Sequence, residues 1–392
     1  MTVEQSLKRR ADAVLRDATE AGDVPGVVAM ATDREGTLYE GAFGKRALGQ
    51  PAPMTLDTVV WIASMTKALT GAAVMQLVEQ GRLDLESPAA RWVPELEQQR
   101  VLEGFDASGE PKLRPPKRPI TLRHLLTHTA GFGYEMWNAP LLEYQRKTGL
   151  PPLGTGKLAA LKSPLLFDPG ERWNYGINID WAGRVVEAVS GRRLGETLRE
   201  SLFAPLEMND TGYKLTPALR MRLAKVHQRD AAGTLHATDR EMPQDAEFDT
   251  GGGGLYSTAG DYLKFVRMIL NRGRAGGRQV LGPRTVDLMS RNQMGDTPVT
   301  LLKTCLPERS NDAEFFPGSP KRWGLTFMIN MEPAPTGRSA GSLAWAGLGN
   351  TYYWIDPAKG LGGVYLTQIL PFVDRKSLPL YYAFETAVYR AA

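Results

Sequence analysis

The placement of the β-type segments most constrains what this chain can fold into: they lie at its two ends, with a long, mostly helical stretch between them. Near the N-terminus, residues 26–32 (GVVAMAT) and 37–44 (TLYEGAFG) have strand composition, and Asp33-Arg34-Glu35-Gly36 between them is turn chemistry. Near the C-terminus, strands are expected over residues 323–330, 341–346, 350–355 and 362–369, with the turn at 356–360 (DPAKG) making the last two a hairpin. A hairpin alone is marginal in water. The two ends are therefore expected to join in one antiparallel sheet. Val3, Leu7, Ala11, Val14, Leu15 and Ala18 recur at helical spacing ahead of it, and residues 378–390 read as a closing helix. The expected fold class is α/β (α+β), a sheet flanked by terminal helices with a mostly helical lobe inserted. Residues 1–60 and 241–392 would form the discontinuous sheet domain and 61–240 the helical domain, with a cleft between them.

Composition removes several chemistries. The chain has one cysteine, Cys305, and four histidines, His124, His128, His227 and His236. That leaves no disulfide framework, cysteine-rich zinc site or thioredoxin-type pair. His124 and His128 stand four apart, but without the glutamate of H-E-x-x-H or a third ligand they read as structural, so no metal is expected. The net charge of +4 comes from 47 basic and 43 acidic residues mixed along the sequence, which argues against a nucleic-acid partner. No apolar run is long enough to span a membrane. The N-terminal residues lack the apolar core of a secretory signal, so a cytoplasmic location is expected. Residues 154–157 (GTGK) lack the spacing of a phosphate-binding loop, and no cofactor is called for. The sequence carries no signal for an oligomeric state.

Three segments carry chemistry. Ser64-Met65-Thr66-Lys67 reads S-x-x-K and opens a strong amphipathic helical pattern, with Leu69, Ala73, Val74, Leu77 and Val78, running to Gly81. A spacing of three puts Lys67 on the face of Ser64 one turn later, and the helix N-terminus favours the negative charge of a serine alkoxide. Tyr175, on a loop after the turn at 168–170, can serve as a general base where no histidine is on hand, because a neighbouring lysine favours its phenolate. Residues 342–348 (SLAWAGL) form a strand ending in small residues, which lets a backbone N–H point at a developing oxyanion.

In this order the segments resemble the serine β-lactamase and penicillin-recognising superfamily, and within its class C-like group the family VIII carboxylesterases, over nearly the whole chain. Residues 120–131 (ITLRHLLTHTAG), 205–211 (PLEMNDT) and 251–258 (GGGGLYST) also look like recurring segments of that superfamily. Residues 101–106 (VLEGFD) and 175–183 (YGINIDWAG) are similar to the fungal acyltransferase that attaches the lovastatin side chain. The resemblance implies an acylated Ser64, with Lys67 assisting its deprotonation and Tyr175 as the general base that later protonates the leaving alcohol. It also implies an oxyanion hole of the Ser64 and Leu348 N–H groups. Tyr134, Asn178, Trp345 and Gly347 are the candidate substrate contacts.

Two departures shape the functional reading. Class C lactamases carry asparagine two residues after the tyrosine, where this chain has Ile177, with Asn178 one later. Their strand K-T-G is replaced by Trp345-Ala346-Gly347. The anchor for a β-lactam carboxylate is thereby lost, and an indole suits a neutral ester. The expected function is a serine carboxylic-ester hydrolase for small to medium neutral esters. An acyltransferase of the same fold, weak β-lactamase activity and a non-catalytic penicillin-recognising protein are the alternatives. Phe132, Tyr134, Trp137, Trp345, Tyr352 and Tyr353 are the aromatic residues expected near the cleft, and the partner is a small-molecule ester.

Two literal motifs are decoys. Lys147-Thr148-Gly149 precedes Tyr175 and reads as a helix C-terminus. Residues 337–341 (GRSAG) match the G-x-S-x-G elbow, yet no strand precedes them, no helix follows, and no histidine lies beyond His236.

Overall fold

The computed structural model describes residues 3–391; Met1, Thr2 and Ala392, and the side chains of Val3 and Glu4, lie outside the described residues, so the Val3 position of the N-terminal pattern does too. The two β-rich ends meet. The strands β1 (Gly26–Thr32), β2 (Thr37–Gly44), β3 (Lys321–Trp323), β4 (Met328–Asn330), β5 (Leu343–Gly347), β6 (Thr351–Asp356) and β7 (Leu361–Leu366) form one sheet of order β3-β4-β5-β6-β7-β1-β2. Every pairing is antiparallel, and the ends join at β1 and β7, Val28 opposite Leu366 and Thr32 opposite Gly362.

Both faces of this sheet are covered. Successive residues of a strand point to opposite faces. A Cβ at Gly362 would meet Val266 of the helix Ala259–Leu270, whereas one at Gly363 would meet the Trp354 ring. That ring packs edge-on against Phe384 of the C-terminal helix Ser377–Tyr389, with centroids 5.8 Å apart. The helix Val3–Glu20 packs on that terminal helix and on β2. β1 is consequently buried along its whole length, which is why it reads as a continuous apolar run rather than an alternating one.

Two expectations are corrected. Residues 323–330 do not form one strand: Thr326 takes φ of +77°, its N–H donates to the Leu126 carbonyl, and the run folds into the β3–β4 hairpin. The mostly helical central stretch also contains two short hairpins. Val101–Phe105 and Pro111–Arg114 pair as a hairpin, its turn held by Asp106 Oδ1 accepting from the Ser108 and Glu110 N–H groups. Residues 227–237 form a second hairpin that Ile369–Leu370 joins in parallel. Finally, the helix after Ser64 is not amphipathic but apolar and buried all round.

That helix, α1 (Thr66–Glu79), is the axis of the helical lobe, with α2 (Asn178–Ser190) packed along it. A helix hydrophobic on every side belongs in an interior, and α1 is buried along nearly its whole length. The Lys147-Thr148-Gly149 triplet ends the helix Ala139–Thr148, with Gly149 at φ of +70° as its left-handed cap. Among the described residues no helix is long and apolar enough to cross a membrane.

Candidate active site

Ser64 sits where a strand becomes a helix. Val60–Trp61 pairs with Tyr256–Ser257, Ala63 turns at φ of +45°, and a 3-10 turn over Ala63–Met65 leads into α1. A left-handed alanine costs on the order of 1 kcal/mol, held here by burial on all sides. The turn presents the Ser64 hydroxyl to a cavity open to solvent, shared with Trp61, Tyr134, Trp137, Tyr175 and Leu348.

Lys67 follows one turn later, 1% exposed. Its Nζ donates to Ser64 Oγ at 3.1 Å, to Tyr134 Oη at 3.0 Å and to the Gly252 carbonyl at 2.6 Å, so each ammonium hydrogen has an acceptor. Burial pushes Lys67 down to about 7, while the charge of Asp180 pulls it up. Asp180 is itself fully buried on α2, raised by the same desolvation and lowered by Lys67. Its Oδ1 accepts from the Gly252 N–H at 2.9 Å, and its Oδ2 has no hydrogen-bond partner. A Cβ on Gly252 would fall 2.5 Å from Asp180 Oδ2 and 3.1 Å from Lys67 Nζ, so only glycine lets this backbone pass between the two charges.

Tyr175 lies opposite. Trp345 Nε1 donates to its hydroxyl at 2.8 Å, and Lys67 Nζ stands 4.7 Å from its ring centroid. The lysine thus meets the face of this ring and the hydroxyl of the other tyrosine, Tyr134. Burial pushes the Tyr175 hydroxyl well above the ordinary phenol value, with hydrogen bonds to Ser64 and Trp345 pulling the other way. The sequence expectation of a resting phenolate beside a lysine cation is therefore reversed. Desolvation favours the neutral form of both groups, and the lysine, lowered from its ordinary value to about 7, is the one left poised near neutrality.

The remaining expected contacts divide. Tyr134, Tyr175 and Leu348 line the cavity with Ser64. Trp345, 5% exposed, is no apolar wall but stands behind Tyr175 as a hydrogen-bond donor. Gly347 packs the end of β5 onto the segment before Ser64, since a Cβ there would meet the Ile62 carbonyl at 2.2 Å. Asn178 is fully buried, its amide donating to His128 Nδ1 at 2.9 Å, with burial and the nearby Lys67 keeping His128 neutral. Phe132, Tyr352 and Tyr353 belong to the core, and Trp137 lines the cavity. β5 is not the outermost strand, because β3 and β4 lie beyond it; β4 pairs only with Leu343 and Ala344, which leaves residues 345–347 free on that side. His124 accepts from the Thr121 N–H at its helix start, so the two spaced histidines serve different neighbours.

Sequence reasoning missed Asp180, Gly252 and the charged groups of the rim, Glu135, Arg240 and Arg309. Asp180 had a readable signal: it is an acid inside the otherwise apolar run after Asn178.

Comparison with known proteins gives the family and the fold. The family described as Beta-lactamase matches residues 11–387. Monacolin J acid methylbutanoyltransferase of Aspergillus terreus is 34% identical over 96% of this chain and 94% of its own length. Lovastatin esterase of Penicillium rubens is 33% identical over 97% and 98%. A mutant of simvastatin synthase (LovD) from Aspergillus terreus superposes with a TM-score of 0.85 at 32% identity, covering 97% of this chain and 96% of that one.

Proposed function

Since the chain belongs to the Beta-lactamase family, with serine acyl-transfer enzymes among its relatives, we propose that it is a carboxylic-ester hydrolase working through an acyl-enzyme on Ser64. The observation that carries the reading is the 3.1 Å contact between the Ser64 hydroxyl and a buried Lys67 lowered to about 7, at the floor of an open cavity.

The chemistry follows from the protonation states. Neutral Lys67 takes the Ser64 proton as Oγ attacks the ester carbonyl. In this reading the N–H groups of Ser64 and Leu348 act as the oxyanion donors. The tetrahedral adduct collapses, and the leaving alkoxide takes the proton of the Tyr175 hydroxyl. The phenolate so formed is stabilised by the Trp345 N–H and by the Lys67 ammonium over its ring. In the second half Tyr175 takes a proton from water, the hydroxide attacks the acyl carbonyl, and departing Ser64 Oγ recovers its proton from Lys67. Every proton lent is returned.

An alcohol can replace water in the second half, and the 34% identity with a methylbutanoyltransferase over nearly the full chain favours this as the second reading. The test combines p-nitrophenyl butyrate hydrolysis with fluorophosphonate labelling. A covalent adduct at Ser64 and loss of turnover by about 10³-fold or more in Ser64→Ala and Tyr175→Phe are expected. Full activity in Ser64→Ala would refute the mechanism. Ester product formed with added alcohol distinguishes transfer from hydrolysis.

A further inference from the structure

The rim of the cavity carries more positive charge than the sequence suggested. Three ionised side chains join its lining: Glu135, Arg240 and Arg309. Arg309 and Glu135 neutralise each other through a contact of 2.9 Å. Among the described residues Arg240, whose side chain is exposed at the rim, has no such partner. The acids on either side of it in sequence are engaged elsewhere: Asp239 accepts from Lys225 at 2.7 Å, and Glu241 takes both terminal nitrogens of Arg220, at 2.7 and 2.8 Å. The Arg240 guanidinium instead stands 5.6 Å from the Trp61 ring centroid, and the indole is itself tied down, its Nε1 donating to the Gly253 carbonyl at 2.7 Å. Trp61 lies three residues before Ser64, so the cation is mounted on the segment that presents the nucleophile. Arg309 Nε is buried without a hydrogen-bond partner among the described residues, so the second guanidinium of the lining keeps an unused donor beside this wall.

We infer that Arg240, backed by Arg309, binds a carboxylate carried by the substrate away from its scissile ester. The inference deepens the acyl-enzyme reading and rests on it. It revises the expectation of neutral esters, which followed from the loss of lysine on the strand: the positive charge of this site comes from the loop and the opposite wall. A guanidinium is the group for this task, because its planar fork matches both oxygens of a carboxylate and it stays charged while partly desolvated. The uncompensated charge is also the expected state of a site whose counter-ion arrives with the substrate.

The test compares matched esters that differ by one remote carboxylate, p-nitrophenyl butyrate against mono-p-nitrophenyl glutarate for the acyl side, and phenyl butyrate against 3-(butyryloxy)benzoate for the alcohol side. At low salt the charged member of at least one pair is expected to show the higher kcat/KM. Arg240→Ala should lower the charged-to-neutral ratio of that pair by about ten- to thirty-fold, and Arg240→Lys should restore part of it. In the unaltered protein, raising the ionic strength should raise KM for the charged ester more than for the neutral one. A ratio that Arg240→Ala leaves unchanged, or a salt response equal for both members, would overturn the assignment. Absence of turnover of all four esters together with absence of a fluorophosphonate adduct at Ser64 would instead overturn the acyl-enzyme reading beneath it.

Discussion

Asp180 and Lys67 meet through a single glycine: Asp180 Oδ1 accepts the Gly252 N–H at 2.9 Å, and the Gly252 carbonyl accepts from Lys67 Nζ at 2.6 Å. The carboxylate thereby acts on the lysine across backbone, close enough for its field to count and without a direct ion pair that would fix the lysine as a cation. Burial lowers Lys67 and Asp180 raises it, and the outcome near 7 is the resultant of the two.

The balance predicts a pH effect. Lys67 accepts a proton only in its neutral form, so kcat/KM should fall as pH drops through about 7. Asp180→Asn keeps an oxygen for the Gly252 N–H but removes the charge that holds the lysine up. The Lys67 value then drops further, and the acidic limb of the pH–rate profile should move to lower pH by about one unit. Profiles of the two proteins on one ester decide it, and an unmoved or alkaline-shifted limb would show that Asp180 does not tune the lysine.

Trp345 yields a second prediction. Its indole N–H donates to Tyr175 Oη, the atom that carries negative charge once the leaving alcohol has been protonated. Hydrogen bonds to charged groups contribute about 1.5–3 kcal/mol, so Trp345→Phe should lower kcat by about ten- to a hundred-fold. The side chain is buried behind Tyr175 and outside the cavity, so KM should change little. Equal losses through KM would place the indole against substrate instead.

These two residues also show what could and could not be read from the sequence. β1 and β2 were legible to the residue, because β1 is a continuous apolar run and both are bounded by turn residues that leave few other folds. Ser64 and Lys67 were legible as a candidate pair because the S-x-x-K spacing sets the 3.1 Å contact between them. Trp345 was noticed but misassigned: nothing in W-A-G says whether an indole faces the cavity or points its nitrogen at a tyrosine 170 positions away. Asp180 and Gly252 are 72 positions apart and acquire meaning only when α2 and the glycine-rich loop are packed together. Arg240 was invisible for the same reason, because a charge without a partner is recognised only after every neighbouring acid has been assigned one.

The loop that carries Tyr175 depends on Gly176. A Cβ there would meet the Gly133 Cα at 2.5 Å and the Phe132 carbonyl at 2.6 Å, and these backbone atoms have little room to yield. The loop is pinned beside them by the Asn174 side chain, which donates to the Phe132 carbonyl at 3.0 Å. Gly176→Ala should therefore displace Tyr175 and Tyr134 together and lower kcat/KM by about 10²-fold, while a protein that folds still labels at Ser64 more slowly. Steady-state kinetics with a fluorophosphonate rate measurement tests this, and wild-type kinetics would mean the two loops are not held in register by contact.

The G-x-S-x-G decoy has a structural purpose of its own, which can be tested by stability. Arg338 is 1% exposed, and its Nε and Nη2 donate to the Glu385 carboxylate of the C-terminal helix at 2.8 and 2.6 Å. Tyr381 Oη accepts from the same guanidinium at 3.1 Å, and Thr336 also donates to Glu385. The motif thus fastens the loop before β5 to the helix that covers the sheet, far from Ser64 chemistry. Removing one member of a buried pair leaves the other charge without compensation, so Glu385→Ala should cost about 3–5 kcal/mol and lower Tm by many degrees. Replacing both partners by apolar residues, Arg338→Met with Glu385→Leu, should recover much of that loss, because neither charge then has to be desolvated. Thermal and urea unfolding of the single and double variants separate the cases. A single substitution with no effect on Tm would show that the pair is not part of what holds the terminal helix to the sheet.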